Sequence, residues 1–267
     1  MDDNVFRKQV NASGYPFQLR VHHEVKTSYG KDHNWFPICQ EHRWQNSLSG
    51  TEGFIDLVLL RSIHEYLSLY IVVECKRVSG GCWVFLNPRS DHQQRSTDHA
   101  LVTKRQQNKS LSPIWEKIHF EPVSSTSSFC TVPGQGNKDT PMLERVSGEL
   151  LDSLESIATE QLNVGQQPSQ VSQTLTAIYL PVIVTNTQLV VCQFQPSEVD
   201  LSEGKLTDDR GEFESVPFIR FQKNFTTRYT TATVPMSLAE TNRENEKTIF
   251  VVHAPRLRDF LRQCNLD

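Results

Sequence analysis

The chain has 267 residues, of which 37% are hydrophobic and 22% are charged, and its net charge is −4. This length suits one large domain, and the composition is typical of a globular protein. Because no apolar run approaches the roughly 18 residues of a membrane span and the N-terminus lacks a secretory signal, we expect a cytoplasmic protein without membrane contacts.

The first 52 residues predict one helix followed by a loop. The helix follows Pro16 and is indicated by four apolar residues, Phe17, Leu19, Val21 and Val25. Residues 30–52 are rich in Trp, His, Gly and Asn without a clear period. They predict a loop with one short strand near Arg43–Leu48.

The clearest pattern in the chain is a pair of apolar runs at residues 53–61 and 68–78. Only a short polar connection around Ser62–Tyr66 separates the runs, which predicts an antiparallel hairpin. Apolar residues occupy successive rather than alternate positions, so both faces of these strands should be covered. The hairpin is therefore predicted to lie in the centre of a sheet.

The remainder of the chain is predicted to combine short strands, loops and two helices. The expected elements are a strand at Cys82–Leu86, a polar stretch at Asn87–Ser112, irregular structure at 122–141, a helix from Pro141 to about Asn163, strands at Ala177–Val184 and Gln188–Phe194, an acidic loop at Ser197–Ser215, strands at Val216–Gln222 and Thr248–His253, and a helix after Pro255. The helix from Pro141 is the most clearly amphipathic, because its apolar residues form a single stripe.

Three ionisable residues interrupt the apolar hairpin. With the turn centred in the polar connection, the register places Asp56 opposite Val73 or Glu74. Residues opposed in this way lie within about 4.5–8 Å, so the two carboxylates could share one cation. Glu74 and Lys76 are two positions apart and therefore project from the same face of their strand.

This cluster suits hydrolysis of a phosphodiester bond. Two carboxylates and a backbone oxygen favour a hard divalent cation such as Mg²⁺, and Cys75 is a further candidate ligand. Such a cation polarises a phosphate and lowers the pKa of bound water. Lys76 could then orient that water or neutralise charge in the transition state. An unpaired charge buried among apolar residues costs several kcal/mol, so stability alone rarely produces such a cluster.

Asp56, followed eighteen residues later by Glu74, Cys75 and Lys76 on the next strand, resembles the PD-(D/E)XK superfamily of restriction-endonuclease-like nucleases. The order of elements over about residues 15–185 is similar to that superfamily's core of helix, three strands, helix and strand. The resemblance implies an α/β fold and a nuclease that depends on Mg²⁺ or Mn²⁺, with DNA as the expected partner. It also implies that Asp56 and Glu74 bind the metal and that Lys76 is catalytic.

Other parts of the chain extend or depart from this resemblance. Glu24, on the predicted first helix, matches an acidic residue that can complete the metal shell in the superfamily. The whole chain, 1–267, is predicted to be a single domain with an unusually long insertion at about 87–141 and a β-rich extension at 186–267. We assign the insertion to substrate binding or to a partner surface.

Basic residues are concentrated in the first half of the chain. Residues 1–110 hold 14 Lys and Arg against 11 Asp and Glu, whereas residues 111–267 hold 13 against 20. The net negative charge gives no general attraction to nucleic acid, so contact with a polyanion is expected from the first half. Six of the basic residues lie from Arg77 to Lys109, where they could contact phosphates or belong to a solvated loop.

Other interpretations of the acidic cluster stay open. Lys76 could pair with Asp56 or Glu74 in an ion pair at the end of a strand, without any catalytic role. The chain could also be an inactive nucleic-acid-binding or assembly subunit that retains the nuclease fold. A third possibility is a homo-oligomer or a larger complex in which the C-terminal strands and the acidic loop at 197–215 form the surface for a partner protein.

Three further patterns have ordinary explanations. His22, His23 and Glu24 match no metal-binding spacing on a helix and are expected at the surface or in packing contacts. Trp83 and Phe85 could stack on an unpaired base, although core packing is the expected role. The six cysteines are scattered without a metal-binding pair and are predicted to be reduced thiols.

Overall fold

The structure is a computed structural model with a mixed α/β fold that is rich in strands and has few helices. It describes residues 3–46, 50–89, 97–106, 109–133, 141–164, 174–207, 209–229, 231 and 237–266. The helices are α1 (Asp3–Ala12), α2 (Tyr15–Ser28), α3 (Met142–Val164), α4 (Leu238–Asn245) and α5 (Leu257–Gln263). The strands are β1 (Phe36–Gln45), β2 (Glu52–His64), β3 (Leu67–Lys76), β4 (Cys82–Pro88), β5 (Asp98–Gln106), β6 (Lys109–Ser110), β7 (Ile114–Ile118), β8 (Phe120–Glu121), β9 (Thr126–Ser127), β10 (Phe129–Thr131), β11 (Thr174–Thr185), β12 (Gln188–Phe194), β13 (Val199–Asp200), β14 (Lys205–Leu206), β15 (Glu212–Val216), β16 (Phe218–Asn224), β17 (Glu246–His253) and β18 (Asn265–Leu266).

Ten strands form the main sheet. Its principal order is β1-β2-β3-β11-β17-β16-β9, and β5 pairs with the first half of β11 and carries β6 and β7. Strands β3, β11 and β17 are parallel, so their carboxyl ends lie at the same end of the sheet. A second sheet has the order β10-β4-β12-β15.

The predicted hairpin is confirmed in β2 and β3. The two strands pair antiparallel, with Leu57 opposite Val73, and the turn lies at Glu65 and Tyr66. Both faces of the hairpin are covered, because Val72 and Val73 belong to hydrophobic clusters on opposite sides of the sheet. The continuous apolar runs of the sequence are explained by this double burial.

Two hydrophobic cores therefore lie on opposite faces of the main sheet. The α3 core packs α3 and the second sheet on one face and includes Val72, Trp83, Phe85, Leu154 and Ile183. The α5 core packs α2 and α5 on the other face and includes Val21, Val73, Val182, Phe260 and Leu261. Each large apolar side chain buried in this way stabilises the fold by about 1.5–3 kcal/mol.

Strand β1 forms one edge of the main sheet and is irregular in two places. Its register with β2 shifts between Pro37 and Cys39. Glu41 adopts a positive φ of 54°, which is uncommon for a residue other than glycine. Among the described strands, β1 pairs only with β2, so it is an edge strand whose regular conformation is broken at these two places.

A buried arginine connects β16 to β5 and to the segment before β9. Arg220 is 3% exposed, and its guanidinium donates to both carboxylate oxygens of Asp98, at 2.7 and 3.1 Å. It also donates to the carbonyl oxygens of Phe120 and Pro122 and to the hydroxyl oxygen of Ser124. These bonds use every N–H of the guanidinium, so the buried charge has no unpaired donor.

Most predicted elements are confirmed. The helices expected after Pro16, Pro141 and Pro255 are α2, α3 and α5. The expected strands after the hairpin are β4, β11, β12, β16 and β17. All six cysteines are free, as predicted. No helix within the described ranges is both long and apolar enough to cross a membrane.

Three predicted loops instead contain strands, and α1 was not predicted at all. The segment at 30–52 was predicted to be a loop with one short strand near Arg43–Leu48, but its strand is β1, which begins earlier and ends at Gln45; residues 47–49 lie outside the described residues. The polar stretch at 87–112 contains the largely buried β5, and the acidic loop at 197–215 contains β13, β14 and β15. Polar residues obscured these strands, and in β5 the partner that satisfies Asp98 is Arg220, which is far away in the sequence.

The segment at 122–141 is closer to its prediction. It contains only the short strands β9 and β10, and residues 134–140 lie outside the described residues. Gly81, which precedes β4, has a φ of +76°, and a Cβ there would collide with Pro133. This close approach explains why the turn after β3 has glycine at that position.

Candidate functional site

The Asp56 carboxylate lies on β2 where the pairing with β3 ends. Extending the register by one residue puts Asp56 opposite Glu74. The Oδ2 atom of Asp56 accepts a hydrogen bond of 2.6 Å from the backbone N–H of Cys75. Burial, followed by the nearby Glu74 carboxylate, raises the pKa of Asp56 from 3.8 to about 7. The structure therefore holds two carboxylates close enough to oppose each other's ionisation.

Glu74 and Lys76 form an ion pair on one face of β3. The Nζ atom of Lys76 lies 2.7 Å from Oε1 of Glu74, and the two side chains are 28% and 21% exposed. Both lie on the α3 side of the sheet, because they alternate with Val72 of the α3 core. Lys76 also lowers the pKa of Asp56, so its charge acts on both carboxylates.

The Cys75 side chain lies on the opposite face, against the α5 core. Burial, and then the Asp56 carboxylate, raises the pKa of the Cys75 thiol well above its ordinary value. The thiol therefore stays neutral and does not offer a thiolate ligand. A contribution of Cys75 to a hard cation would come from its backbone oxygen.

Glu41 is a third acidic residue that the sequence analysis missed. The register of β1 and β2 places it opposite Asp56, between the pairs formed by Gln40 and His42. Its charge further raises the pKa of Asp56, and the Gln18 side-chain amide of α2 donates to its carboxylate. No local pattern marked Glu41, because the edge strand that carries it was predicted to be a loop.

Glu24 lies on α2, as predicted, but its carboxylate pairs with two arginines. Arg20 lies 2.7 Å from it, and Arg258 of α5 forms a second ion pair. The groups that shift the pKa of Asp56 are Glu74, Cys75, Lys76 and Glu41, and do not include Glu24. The structure thus brings together Asp56, Glu74 and Lys76 and places Glu24 in a contact between α2 and α5.

Asp56 and Glu74 have the donor atoms that a hard cation requires. A divalent cation would remove the repulsion that raises the pKa of Asp56, and carboxylate oxygens suit Mg²⁺ or Mn²⁺. In the part of the chain that the structure describes, no group of three or more His, Cys, Asp and Glu side chains is arranged to hold a metal ion. Further ligands would have to be water, backbone or substrate oxygens, which Mg²⁺ commonly uses.

No family model matches the chain, and neither does any curated protein or solved structure. A functional assignment therefore depends on the chemistry of Asp56, Glu74 and Lys76 and on their position in the fold.

Other residues considered from the sequence have structural roles. Trp83 and Phe85 are fully buried in the α3 core, so their expected role in core packing is confirmed and they are not available to stack on a base. Among the basic residues for which phosphate contacts and a solvated loop were both considered, Arg89 pairs with Glu212. Lys104 pairs with Glu116 at 2.6 Å.

Proposed function

We propose that the chain is a metal-dependent nuclease with a PD-(D/E)XK-like core, and that it hydrolyses phosphodiester bonds, with DNA as the expected substrate. The order α2, β1, β2, β3, α3 and β11, with β4 to β10 inserted between β3 and α3, supports this proposal, because it resembles the helix, three strands, helix and strand of that core. The parallel pairing of β3 with β11 joins the last strand to the one that carries Glu74 and Lys76.

The observation that carries the proposal is the opposed pair of carboxylates with a lysine beside it. Asp56 is partly buried next to Glu74, and its pKa is raised because ionisation is opposed by this partial burial and by that neighbour. Unfavourable electrostatics of this kind are common at functional sites, where they are compensated by a ligand. Lys76, 2.7 Å from Glu74, offsets one of the two negative charges.

In this proposal each residue has a defined role. Asp56 and Glu74 hold a divalent cation, which when bound would polarise the scissile phosphate and acidify a water molecule. Lys76 releases Glu74 and donates hydrogen bonds to the attacking water or to a phosphate oxygen. The backbone N–H of Cys75 fixes the Asp56 carboxylate through its 2.6 Å hydrogen bond, and so orients the remaining oxygen.

The experiment is a cleavage panel of plasmid, linear duplex, single-stranded DNA and RNA, with Mg²⁺, Mn²⁺ or EDTA. We expect metal-dependent cleavage by the wild type and its loss in Lys76→Ala. Lys104→Ala is the matched control, because Lys104 is also paired with a glutamate but lies on β5. Cleavage that survives Lys76→Ala, or a folded wild type that cuts none of the four substrates, would contradict the proposal.

A second candidate is a non-catalytic nucleic-acid-binding or assembly subunit that retains the fold. The contact between Lys76 and Glu74 favours it, since that ion pair satisfies Glu74 without a metal. Divalent-ion binding separates the two candidates. Mn²⁺ binding that is lost in Asp56→Ala supports the nuclease, whereas a wild type that binds no Mn²⁺ supports the second candidate.

A further inference from the structure

Strand β15 forms an open edge of the second sheet. Among the described strands it pairs only with β12, in an antiparallel register without a shift. Residues Glu212, Phe213, Glu214 and Ser215 of this strand are all exposed, and the exposed fraction of Phe213 is 64%. The edge of a sheet presents a row of backbone N–H and C=O groups to which another extended chain can add.

This edge lacks the irregularities that break the edge strand of the main sheet. Strand β1 has a register shift and places Glu41 at a positive φ of 54°. Strand β15, all of whose residues are described, contains no proline, no register shift and no residue with a positive φ. The backbone of β15 is therefore aligned for a further strand, and its side chains decide which strand fits.

The exposed side chains of β15 divide into an acidic face and an apolar face. Glu212 and Glu214 share one face of the strand, because successive side chains point to opposite faces. Phe213 projects from the other face, opposite Cys192 of β12. A strand added to β15 would therefore place its own side chains alternately beside glutamate and beside phenylalanine.

The surroundings of β15 are strongly acidic. Residues 197–215 contain seven Asp and Glu against two Lys and Arg, so their net charge of −5 is more negative than the −4 of the whole chain. The ion pairs that these residues form are Lys205–Glu203, Arg210–Glu198 and Arg89–Glu212. Glu214 has no ionic partner among the described residues, so its charge is available to a ligand.

The two glutamates oppose pairing between the β15 strands of two copies of the chain. In an antiparallel pair of identical strands, residues of the same face lie opposite each other, so glutamates would face glutamates. Like charges directly opposite each other destabilise a sheet, whereas opposite charges stabilise it. The edge therefore favours a strand with basic residues at alternate positions.

We propose that β15 binds an extended basic segment of a partner protein as an added strand, with lysines or arginines beside Glu212 and Glu214 and an apolar residue beside Phe213. Backbone hydrogen bonds supply the affinity of such a complex, and the alternate side chains supply its specificity. The acidic surroundings of β15 also attract a basic partner before contact. This interaction surface does not depend on the proposed nuclease function.

The test is fluorescence anisotropy with synthetic peptides. The probe is a labelled peptide of about seven residues with blocked termini, in which lysine alternates with valine. We expect saturable binding of this probe and no binding of a peptide in which glutamate replaces lysine. A peptide with the same lysines and valines in two separate blocks should bind at least about tenfold more weakly. Absence of probe binding, or equally tight binding of either control peptide, would overturn the inference.

Methylated peptides separate strand addition from simple charge attraction. Alternate backbone N–H groups of an extended strand point to opposite edges, so only one set can face β15. Two versions of the probe carry methyl groups on the valine nitrogens or on the lysine nitrogens. We expect one version to lose binding and the other to retain it. Equal binding by the two versions would contradict the addition of a strand.

Two variants test the edge itself. Glu214→Lys should weaken probe binding about fivefold to twentyfold, because it replaces an attractive cross-strand pair by a repulsive one. Phe213→Thr, which keeps a residue that suits strands, should weaken binding about twofold to fivefold. Both residues are exposed, so the variants should fold as the wild type does.

Glu203→Lys is the matched control for Glu214→Lys. It makes the same change in net charge at an exposed residue of the acidic segment, in the turn between β13 and β14. We expect it to change the affinity for the probe by less than about twofold, because salt screens charges that are not in contact. Equal weakening by the two variants would show only a general attraction and would overturn the inference.

The mass of the chain in solution tests the other occupant. A dimer that Phe213→Thr dissociates would assign the edge to a second copy and overturn the inference. A monomeric wild type that binds the probe supports it, whether or not the chain cleaves nucleic acid. The outcome of the cleavage panel therefore leaves this inference unaffected.

Discussion

Replacing Asp56 by asparagine should make the folded chain more stable in alkaline solution and at the same time remove metal binding. The carboxylate is partly buried beside Glu74, with Glu41 also nearby, so its ionisation destabilises the folded state. Asparagine has nearly the same shape and can still accept the hydrogen bond from the Cys75 backbone N–H. It carries no charge, so the repulsion from Glu74 disappears.

The size of the effect follows from the pKa of Asp56, which is about 7 in the folded chain and 3.8 ordinarily. Because the folded value is the higher one, ionisation costs nothing below about pH 4, costs more as the pH rises, and reaches its full cost above about pH 7. That difference corresponds to about 4 kcal/mol. The asparagine amide is left incompletely bonded at a cost of about 1 kcal/mol, so we expect a net gain of about 2–3 kcal/mol.

Urea unfolding in EDTA at about pH 8 and about pH 4 measures this prediction. The variant should be more stable than the wild type by about 2–3 kcal/mol at the higher pH and less stable by about 1 kcal/mol at the lower one, where only the cost of the amide remains. Added Mn²⁺ should raise the stability of the wild type and leave the variant unchanged. A variant that is less stable than the wild type at about pH 8 would refute the reasoning, because it would mean that Asp56 stabilises the fold through its pairing with Lys76.

Three further predictions concern other residues. Arg220→Met should lower the free energy of unfolding in urea by about 3–5 kcal/mol, because it leaves Asp98 buried and unpaired. The double variant that also carries Asp98→Leu should recover much of this loss. A cost under about 1 kcal/mol would contradict this. Burial lowers the pKa of His99 from 6.5 to about 4. The free energy of unfolding should therefore fall by up to about 3 kcal/mol as the pH falls from about 6.5 to about 4. This loss should be absent in His99→Leu. Glu24→Gln should leave Mn²⁺ affinity within about twofold, since Glu24 pairs with arginines, whereas a loss of about tenfold would make it a ligand.

The parts of the fold that sequence predicts are those whose pattern is local. Two apolar runs with a short connection predict the hairpin of β2 and β3, and a single apolar stripe predicts α3. Strand β5 was missed because Asp98 and His99 interrupt its apolar pattern. Asp98 is accommodated by Arg220, a partner 122 residues away that no window of sequence reveals.

The same distinction applies to the candidate site. Asp56, Glu74 and Lys76 could be placed together because one hairpin register fixes all three. Glu41 could not be placed with them from the sequence, since it lies in the edge strand β1 and itself adopts a left-handed backbone conformation. Glu24 was assigned to the cluster from a family resemblance, but its carboxylate forms an ion pair with Arg258 of α5, the last helix.

Glu41 combines an unusual backbone conformation in the edge strand with a charge beside Asp56. Its φ is +54°, and its carboxylate raises the pKa of Asp56, so one position contributes both features. An edge strand of regular conformation throughout would be a better template on which other chains could add and aggregate. Glycine at this position would keep the conformation and lose the acid, since glycine adopts positive φ freely. A β-branched residue would lose the acid and be strained in that conformation, so we expect it to lower the stability of the edge as well as the charge of the cluster.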